Sequence, residues 1–448
     1  MSKSSILDSN SFNAENESLL PEEERKLIKR REKYMSDGYR LFYQKPVYIV
    51  RGEGAYLYDE EGHKYLDMYN NVASIGHCHP AVVEAVSKQM ATLNTHTRYL
   101  SNIIVDYSEA LLKEMPPEVD KITYMCSGTE ANDLAIRVAQ AYTGGKGIIV
   151  TQEAYHGNTA LVSGVSPSLG PDQPLLPYTR LVPTPDYYRV GGTPEEFTKW
   201  FLNELQKQID DLKESGYGFA AFLADSIFSS DGVHPYPMGF LKEAVDLVHK
   251  NGGVYIADEV QPGFCRTGDA FWGFARHGII PDIVTMGKPM GNGIPVSGLA
   301  AKHEVLSAFT SKLPYFNTFG GNPVSMAAAS AVLKVIHEEH VLEHTKETGE
   351  HLLTALKEVQ AKHPESVGDV RGAGLFIGFE LVEDPEKKTP DTKKALALIE
   401  MLRERYILSS VCGHYGNILK IRPTLKFSDK DIDWFVTAID ESLTELEK

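Results

Sequence analysis

Cysteine is scarce: Cys78, Cys126, Cys265 and Cys412 are the only four in 448 residues, and they are scattered. That excludes a disulfide framework and fits a reducing, cytoplasmic compartment. Long apolar runs are missing too, none approaching the roughly eighteen residues that a membrane span requires, so a soluble protein is expected. Residues 1–10 lack the basic and apolar regions of a secretory signal, and acidic residues through Glu24 argue against an organellar transit peptide. Residues 1 to about 20 are polar enough for a mobile arm or a segment ordered by a partner subunit. Basic residues fall short of acidic ones, 45 against 61, and the net charge of −16 argues against a nucleic-acid or anionic-membrane surface. A local basic pocket for a small anion remains compatible with that exterior. There is no internal repeat and no low-complexity segment. His77-Cys78-His79 places neighbouring side chains on opposite faces with no second ligand pair, so no metal site is expected. Gly372-Ala-Gly374 and Gly378 lack the following helix and spaced acid of a dinucleotide fingerprint, and read as packing glycines of a strand.

What is present is a set of charged and polar residues at the ends of apolar runs. Tyr255-Ile-Ala-Asp-Glu-Val-Gln261 and Ile283-Val-Thr-Met-Gly-Lys-Pro289 deliver Asp258 and Lys288. A lysine that can hold an aldehyde as a Schiff base, and a carboxylate that can keep a pyridine nitrogen protonated, are the two groups pyridoxal phosphate chemistry needs. Either residue alone is unremarkable: strand-end aspartates often cap turns, and single lysines are usually solvated. Tyr124-Met-Cys-Ser-Gly-Thr-Glu-Ala-Asn132 runs from a strand through Ser127, Gly128 and Thr129 into an Ala-rich helix, which puts backbone N–H groups and two hydroxyls at a helix N-terminus, a setting that suits a phosphate or an ordinary cap. Ala154-Tyr-His-Gly157 offers an aromatic face in Tyr155 that could stack on a pyridine ring. Tyr315-Phe-Asn-Thr-Phe-Gly-Gly-Asn-Pro323 adds the hydroxyl of Thr318.

Strand patterns at 121–126, 147–151, 219–225, 253–258, 282–286 and 296–301 alternate with amphipathic helices. This is the pattern of a mostly parallel α/β sheet covered on both faces. A helix is predicted over 323–337, followed by a long helical stretch from about 338, a strand at 374–382, a helix near 391–405, a strand at 417–422 and a helix at 428–446.

Together with Gly52-Glu-Gly-Ala-Tyr-Leu-Tyr-Asp59, Gly76-His-Cys-His-Pro80 and Val367-Gly-Asp-Val-Arg-Gly-Ala-Gly-Leu375, these stretches resemble the class III aminotransferases over nearly the whole chain. The resemblance implies pyridoxal phosphate as cofactor and fold type I: a large domain with a mostly parallel seven-stranded sheet, and a smaller α+β domain built from both termini. The expected divisions are 1–75 (arm and part of the small domain), 76–325 (cofactor domain) and 326–448 (C-terminal small domain). It also implies roles. Lys288 would carry the cofactor and Asp258 would pair with the pyridine nitrogen. Gln261 would reach the phenolic oxygen. Ser127, Gly128 and Thr129 would hold the phosphate. Tyr155, with His156 beside it, would stack on one ring face and Val260 on the other. Thr318 would reach the phosphate of a neighbouring subunit, which implies a homodimer with shared active sites.

Two departures bear on substrate. Lys420-Ile-Arg-Pro-Thr-Leu425 stands where the family commonly has an Arg-x-x-Pro-Pro-Leu-like segment that grips a keto acid, so Lys420 replaces that Arg while Arg422 lies two residues on. Asp225-Ser-Ile-Phe-Ser-Ser-Asp-Gly232 replaces a Glu-Pro-Ile-Gln-Gly-Glu-like run of glutamate-using members, leaving Ser230 where a Glu would park the Arg. Asn70-Asn-Val-Ala73, Leu93-Asn-Thr-His-Thr-Arg-Tyr-Leu100, Pro183-Thr-Pro-Asp-Tyr-Tyr-Arg189 and Asn417-Ile-Leu-Lys-Ile-Arg-Pro423 look more like the phospho-lyases that share this fold, acting on phosphoethanolamine or phosphohydroxylysine, and like a related ammonia-lyase of a hydroxylated aminoethylphosphonate. That likeness implies elimination from a small 2-aminoethyl compound bearing phosphate or phosphonate, with Arg98, Lys420 and Arg422 as candidate anion ligands. The alternative is an ω-amine or ω-amino acid:pyruvate aminotransferase.

Overall fold

The computed structural model describes residue 5, residue 8 and residues 10–448; residues 1–4, 6, 7 and 9 of the expected arm lie outside the described residues. The N-terminal part forms β1 (Ile49–Glu53), β2 (Tyr56–Asp59) and β3 (Lys64–Asp67), an antiparallel meander. The middle supplies β4 (Lys121–Met125), β5 (Gly147–Thr151), β6 (Thr179–Val182), β7 (Phe219–Ala224), β8 (Val254–Asp258), β9 (Ile283–Met286) and β10 (Ser297–Ala301). The C-terminal part adds β11 (Val367–Ala373), β12 (Phe376–Asp384), β13 (Thr389–Pro390), β14 (Ile407–Leu408), β15 (Val411–Cys412) and β16 (Ile418–Ile421).

The middle strands make one seven-stranded sheet in the order β4-β10-β9-β8-β7-β5-β6. Every pair from β9 to β6 is parallel, and β10 runs antiparallel to both β9 and β4. Strands β7, β8 and β9 are buried along their whole length, the continuous apolar signature of strands covered on both faces. β6 escapes the sequence pattern because it is a four-residue edge strand with Arg180 in its middle.

Two smaller sheets flank this one. β1-β2-β3 is completed by β14, which pairs parallel to β3 through Ile407 and Leu408, so the two ends of the chain share one sheet. The hairpin of β11 and β12 is extended by β16 and β15. Only the β12 half of that hairpin is legible in the sequence, because β11 carries Gly368, Asp369, Arg371 and Gly372, which disguise its buried face. The long helical stretch from 338 resolves into the end of helix Pro323–Glu338 and a separate helix Val341–Lys362, with His340 at φ 51° turning the chain between them. The boundary at 325/326 falls inside the first turn of Pro323–Glu338, whose small-residue face lies against helix Pro80–Met90.

One glycine shows how closely the layers approach. A Cβ on Gly349, in helix Val341–Lys362, would lie 2.4 Å from the carbonyl carbon of Gly374 in the turn between β11 and β12. In an open helix, Gly to Ala stabilises by about 1 kcal/mol. Here the backbone contact should reverse the sign: Gly349→Ala is expected to lose about 1–3 kcal/mol, read by denaturant unfolding. A variant more stable than the parent would show that the helix can slide off the turn without loss.

Candidate active site

The parallel register of β8 and β9 sets Asp258 opposite Thr285, and the chain leaving β9 reaches Lys288 three residues later. Both side chains therefore emerge at the carboxyl end of adjacent central strands, where open α/β sheets place their ligands. Asp258 is held on all sides. Its Oδ2 accepts from Asn132 Nδ2 at 2.9 Å and faces His156 Nδ1 at 2.7 Å, and its Oδ1 accepts the Val260 N–H at 3.1 Å. Asn132 is itself oriented by Thr285, which donates to its amide oxygen at 2.7 Å, and by the His156 carbonyl, which accepts from its nitrogen at 2.8 Å. Asp258 thus arrives with a fixed rotamer, its two oxygens held by the Asn132 amide, the His156 ring and the Val260 N–H.

Lys288 has its amine pulled down to about 8, first by burial and then by the neighbouring Arg422, while Asp258 and Asp225 act in the opposite direction. Burial outweighs the carboxylates because an ammonium taken from water loses its hydration before it recovers anything from ion pairing. The consequence is an amine with a substantial neutral fraction close to physiological pH, the form that attacks carbonyls and takes up protons.

Around these two residues lies a cavity of about 470 Å³, lined by Gly128, Thr129, Tyr155, His156, Val260 and Gln261 among others. Helix Gly128–Thr143 opens onto it. Ser127 is its N-cap and donates its hydroxyl to Glu130 at 2.8 Å, while Thr129 Oγ1 accepts the N–H groups of Asn158 and Thr159 at 3.0 and 3.1 Å and so ties the Tyr155 loop to the helix start. Thr129 keeps its own hydroxyl proton free to donate. Two glycines are required by close approach: a Cβ on Gly128 would meet Val260 at 2.9 Å, and one on Gly157, at φ 143°, would meet Thr129 Oγ1 at 2.3 Å. His156 Nε2 is buried without a partner. A helix N-terminus with an uncommitted hydroxyl, a buried carboxylate opposite a depressed lysine, and an aromatic and an aliphatic side chain on the same cavity fit a phosphorylated aromatic aldehyde.

The candidate anion ligands separate. Lys420 and Arg422, 5% and 8% exposed, lie together at the end of β16. Lys420 is pushed down to about 7 by burial, then by Arg422 and, more weakly, by Lys288. Among the described residues neither is paired with a carboxylate. Arg98 is exposed with its guanidinium 4.3 Å from the centre of the Phe316 ring, and Thr318 is exposed on the loop whose Asn317 donates to Glu130 at 2.8 Å; none of the four lines this chain's cavity, but Arg422 donates to Gln261, which does. Ser230 is buried and its carbonyl accepts the Gly413 N–H at 3.2 Å. The His-Cys-His stretch is explained by carboxylates: His77 meets Asp67 at 2.8 Å and His79 meets Glu339 at 3.3 Å.

Residues 40–443 match the family Aminotransferase class-III. The chain belongs to the class III aminotransferases. Its cofactor is pyridoxal phosphate and its fold is type I. It is 40% identical over 436 residues, 93% of each chain, to ethanolamine-phosphate phospho-lyase homolog 1 of Caenorhabditis elegans. It is 39% identical over 427 residues, 94% of this chain and 87% of the other, to alanine–glyoxylate aminotransferase 2 homolog 2, mitochondrial, of Arabidopsis thaliana. A phospholyase from Arthrobacter, solved in complex with phosphoethanolamine, superimposes with a TM-score of 0.90 at 37% identity, covering 93% of this chain and 99% of that one.

Asn132, Ser229 and Asn71 all fall within the sequence motifs, yet the sequence gives none of them a part. Asn132 had a signal: a lone amide on the otherwise apolar face of an Ala-rich helix, one turn past the Ser-Gly-Thr start. Because the lysine is neutral only above about 8, attachment of pyridoxal phosphate to cofactor-free protein should accelerate about tenfold per pH unit below that value and level off above it. Stopped-flow absorbance at a series of pH values measures this, and a rate that keeps rising through pH 9 without levelling would mean that Lys288 is not depressed.

Proposed function

We propose that this enzyme is a lyase that eliminates a group from a small 2-aminoethyl compound bearing phosphate or phosphonate and releases ammonia and an aldehyde. The observation that carries the reading is the pair Lys420 and Arg422, buried with no carboxylate partner among the described residues, with Arg422 donating to Gln261 at the cavity wall. Unpaired buried cations are costly, and an anionic substrate group offsets that cost. The phospho-lyase names of the Caenorhabditis relative and the Arthrobacter structure support the same substrate class.

Bound pyridoxal phosphate supplies an electron sink that acidifies the amine-bearing carbon of an attached substrate. Lys288 Nζ would hold the cofactor and, once free of it, would take up the proton from that carbon. Asp258, oriented by Asn132 and His156, keeps the pyridine nitrogen protonated. Gly128 and Thr129, with Ser127 as the helix cap, would hold the cofactor phosphate, and Tyr155 and Val260 would hold its ring. Gln261 reaches the phenolic oxygen. Arg422 and Lys420 hold the anionic tail of the substrate. Electrons left by the proton expel phosphate from the next carbon of a phosphate ester, or hydroxide from the carbon bearing a phosphonate, and the enamine set free hydrolyses to aldehyde and ammonia.

The enzyme works as a homodimer with 76–325 as the cofactor domain and 1–75 with 326–448 as the smaller one; Arg98 and Thr318 serve the partner's site. The exposed apolar side chains Tyr99, Leu100 and Phe319 support burial of that face against a second copy. Four unpaired cysteines support a cytoplasmic location, although the Arabidopsis relative is named as mitochondrial.

A second reading, aminotransfer with pyruvate, is favoured by the name of the Arabidopsis relative. The two differ in stoichiometry. Incubated with phosphoethanolamine or hydroxylated aminoethylphosphonate and no keto acid, a lyase forms ammonia over many turnovers. An aminotransferase stops after one equivalent and restarts on adding pyruvate, and that outcome would overturn the lyase reading. Lys288→Ala is expected to abolish turnover and the visible absorption band of the cofactor-loaded protein; a surviving band would assign the cofactor to another lysine. Lys420→Met should weaken binding of the anionic substrate by about 2–3 kcal/mol, measured as Kd at pH 6. In the parent, affinity should fall as pH rises through about 7, because Lys420 is charged only below that value; pH-independent affinity between 6 and 8 would remove Lys420 from the contact.

A further inference from the structure

Arg422 is held in an uncommon way for a buried guanidinium. Its Nη1 donates to two neutral oxygens, Gln261 Oε1 and Asn71 Oδ1, the second at 3.3 Å, and the Tyr69 ring centre is 4.6 Å from its Cζ. The Gln261 amide is fixed from its other end, where Nε2 donates to Ser229 Oγ at 2.7 Å. Ser229 passes its hydroxyl proton on to Asp225 Oδ2, also at 2.7 Å. Asp225 is itself fixed by the N–H groups of Ile227 and Ser229, at 2.9 Å each.

A guanidinium can only donate, and Asp225 Oδ2 already accepts the Ser229 N–H, so the chain has one direction: Arg422 to Gln261, Gln261 to Ser229, Ser229 to Asp225. That direction decides which end of the Gln261 amide faces Arg422. It also leaves the second N–H of Gln261 uncommitted on a residue that lines the cavity. The negative charge of Asp225 stays two side chains away from the guanidinium, and the intervening groups are neutral. Arg422 is thereby positioned without being neutralised.

We propose that Ser229 is a positioning residue that sets the substrate class: by locking the Gln261 amide oxygen toward Arg422, it keeps that arginine on neutral partners and its charge available to a doubly anionic phosphate or phosphonate tail. The inference rests on the anionic-substrate reading of the same site. Without the serine hydroxyl the Gln261 amide is free to turn, and its nitrogen would then oppose a guanidinium that has no acceptor to offer. Arg422 would have to move or lose a partner. A carboxylate in place of the Gln261 amide would hold Arg422 firmly but cancel its charge.

The test titrates the cofactor-loaded protein with methylphosphonate, a probe of the anion contact, and with propylamine, which reports the cofactor alone. The readout is the ratio of the two affinities, which a general loss of structure would not change. Ser229→Ala should lower the methylphosphonate-to-propylamine ratio about tenfold, and Gln261→Glu, the same size with a carboxylate, should lower it by at least as much. An unchanged ratio in both variants overturns the positioning role while leaving the anionic-substrate reading standing. If Ser229→Ala does not fold, the ratio in Gln261→Glu decides by itself. Failure of the parent enzyme to bind methylphosphonate at all sinks both the inference and the reading beneath it.

Discussion

Positive charge buried without a matching carboxylate is the constraint on which this molecule's chemistry depends. Lys288, Lys420 and Arg422 act on one another strongly enough that burial and mutual repulsion draw the two lysines down to about 8 and about 7. Arg266 is drawn to about 9 by burial and by Arg422 in the same interior, and its Nη1 reaches only the carbonyls of Leu375 and Pro423. A cluster of this kind works against folding unless something anionic enters it. One physical circumstance therefore serves two ends: it makes Lys288 a usable base, and it makes the cavity receptive to an anion.

The scaffold tolerates such a cluster because the opposite charges are held so rigidly. Asp258 sits at the end of a fully buried strand with Asn132, His156 and its own Val260 amide around it. Asp225 ends the neighbouring strand run with its oxygens committed to Ser229 and Ile227. Neither carboxylate can swing across to neutralise Arg422, so the field in the cavity keeps its shape. Positions fixed before the substrate arrives need no reorganisation during reaction, which is where most electrostatic catalysis originates.

The distribution of the two chain ends also matters. β14 completes the sheet begun by β1, β2 and β3, and β16, paired to β12, carries Lys420, whose amine feels Arg422, Asp225 and Lys288. Lys288 and Asp258 come from the large sheet, while Lys420 and Arg422 come from the C-terminal sheet and Asn71, which accepts from Arg422, lies near β3. Relative placement of these layers therefore tunes substrate contact without disturbing the cofactor groups, and close backbone packing such as Gly349 on Gly374 sets how precisely the layers seat.

Local signals in the sequence were sufficient for six of the seven central strands and for most of the residues that meet at the cavity. Continuous apolar runs ending in Asp258 and Lys288, and a Ser-Gly-Thr turn leading into an alanine-rich helix, are legible because each depends on residues adjacent in the chain. The same locality explains what stayed hidden: β6 is a short edge strand broken by Arg180, and β11 buries a face interrupted by Gly and charged residues. Ser229, Gln261, Asn71 and Arg422 lie at four distant positions, and nothing in any one of them announces a shared hydrogen-bond chain. Composition and motif determined the family and the cofactor, and singled out Lys288 as the candidate lysine. Only the tertiary structure decided that Arg422 meets amides instead of an acid, because charge compensation is a property of neighbours in space, and those neighbours come from three separate sheets.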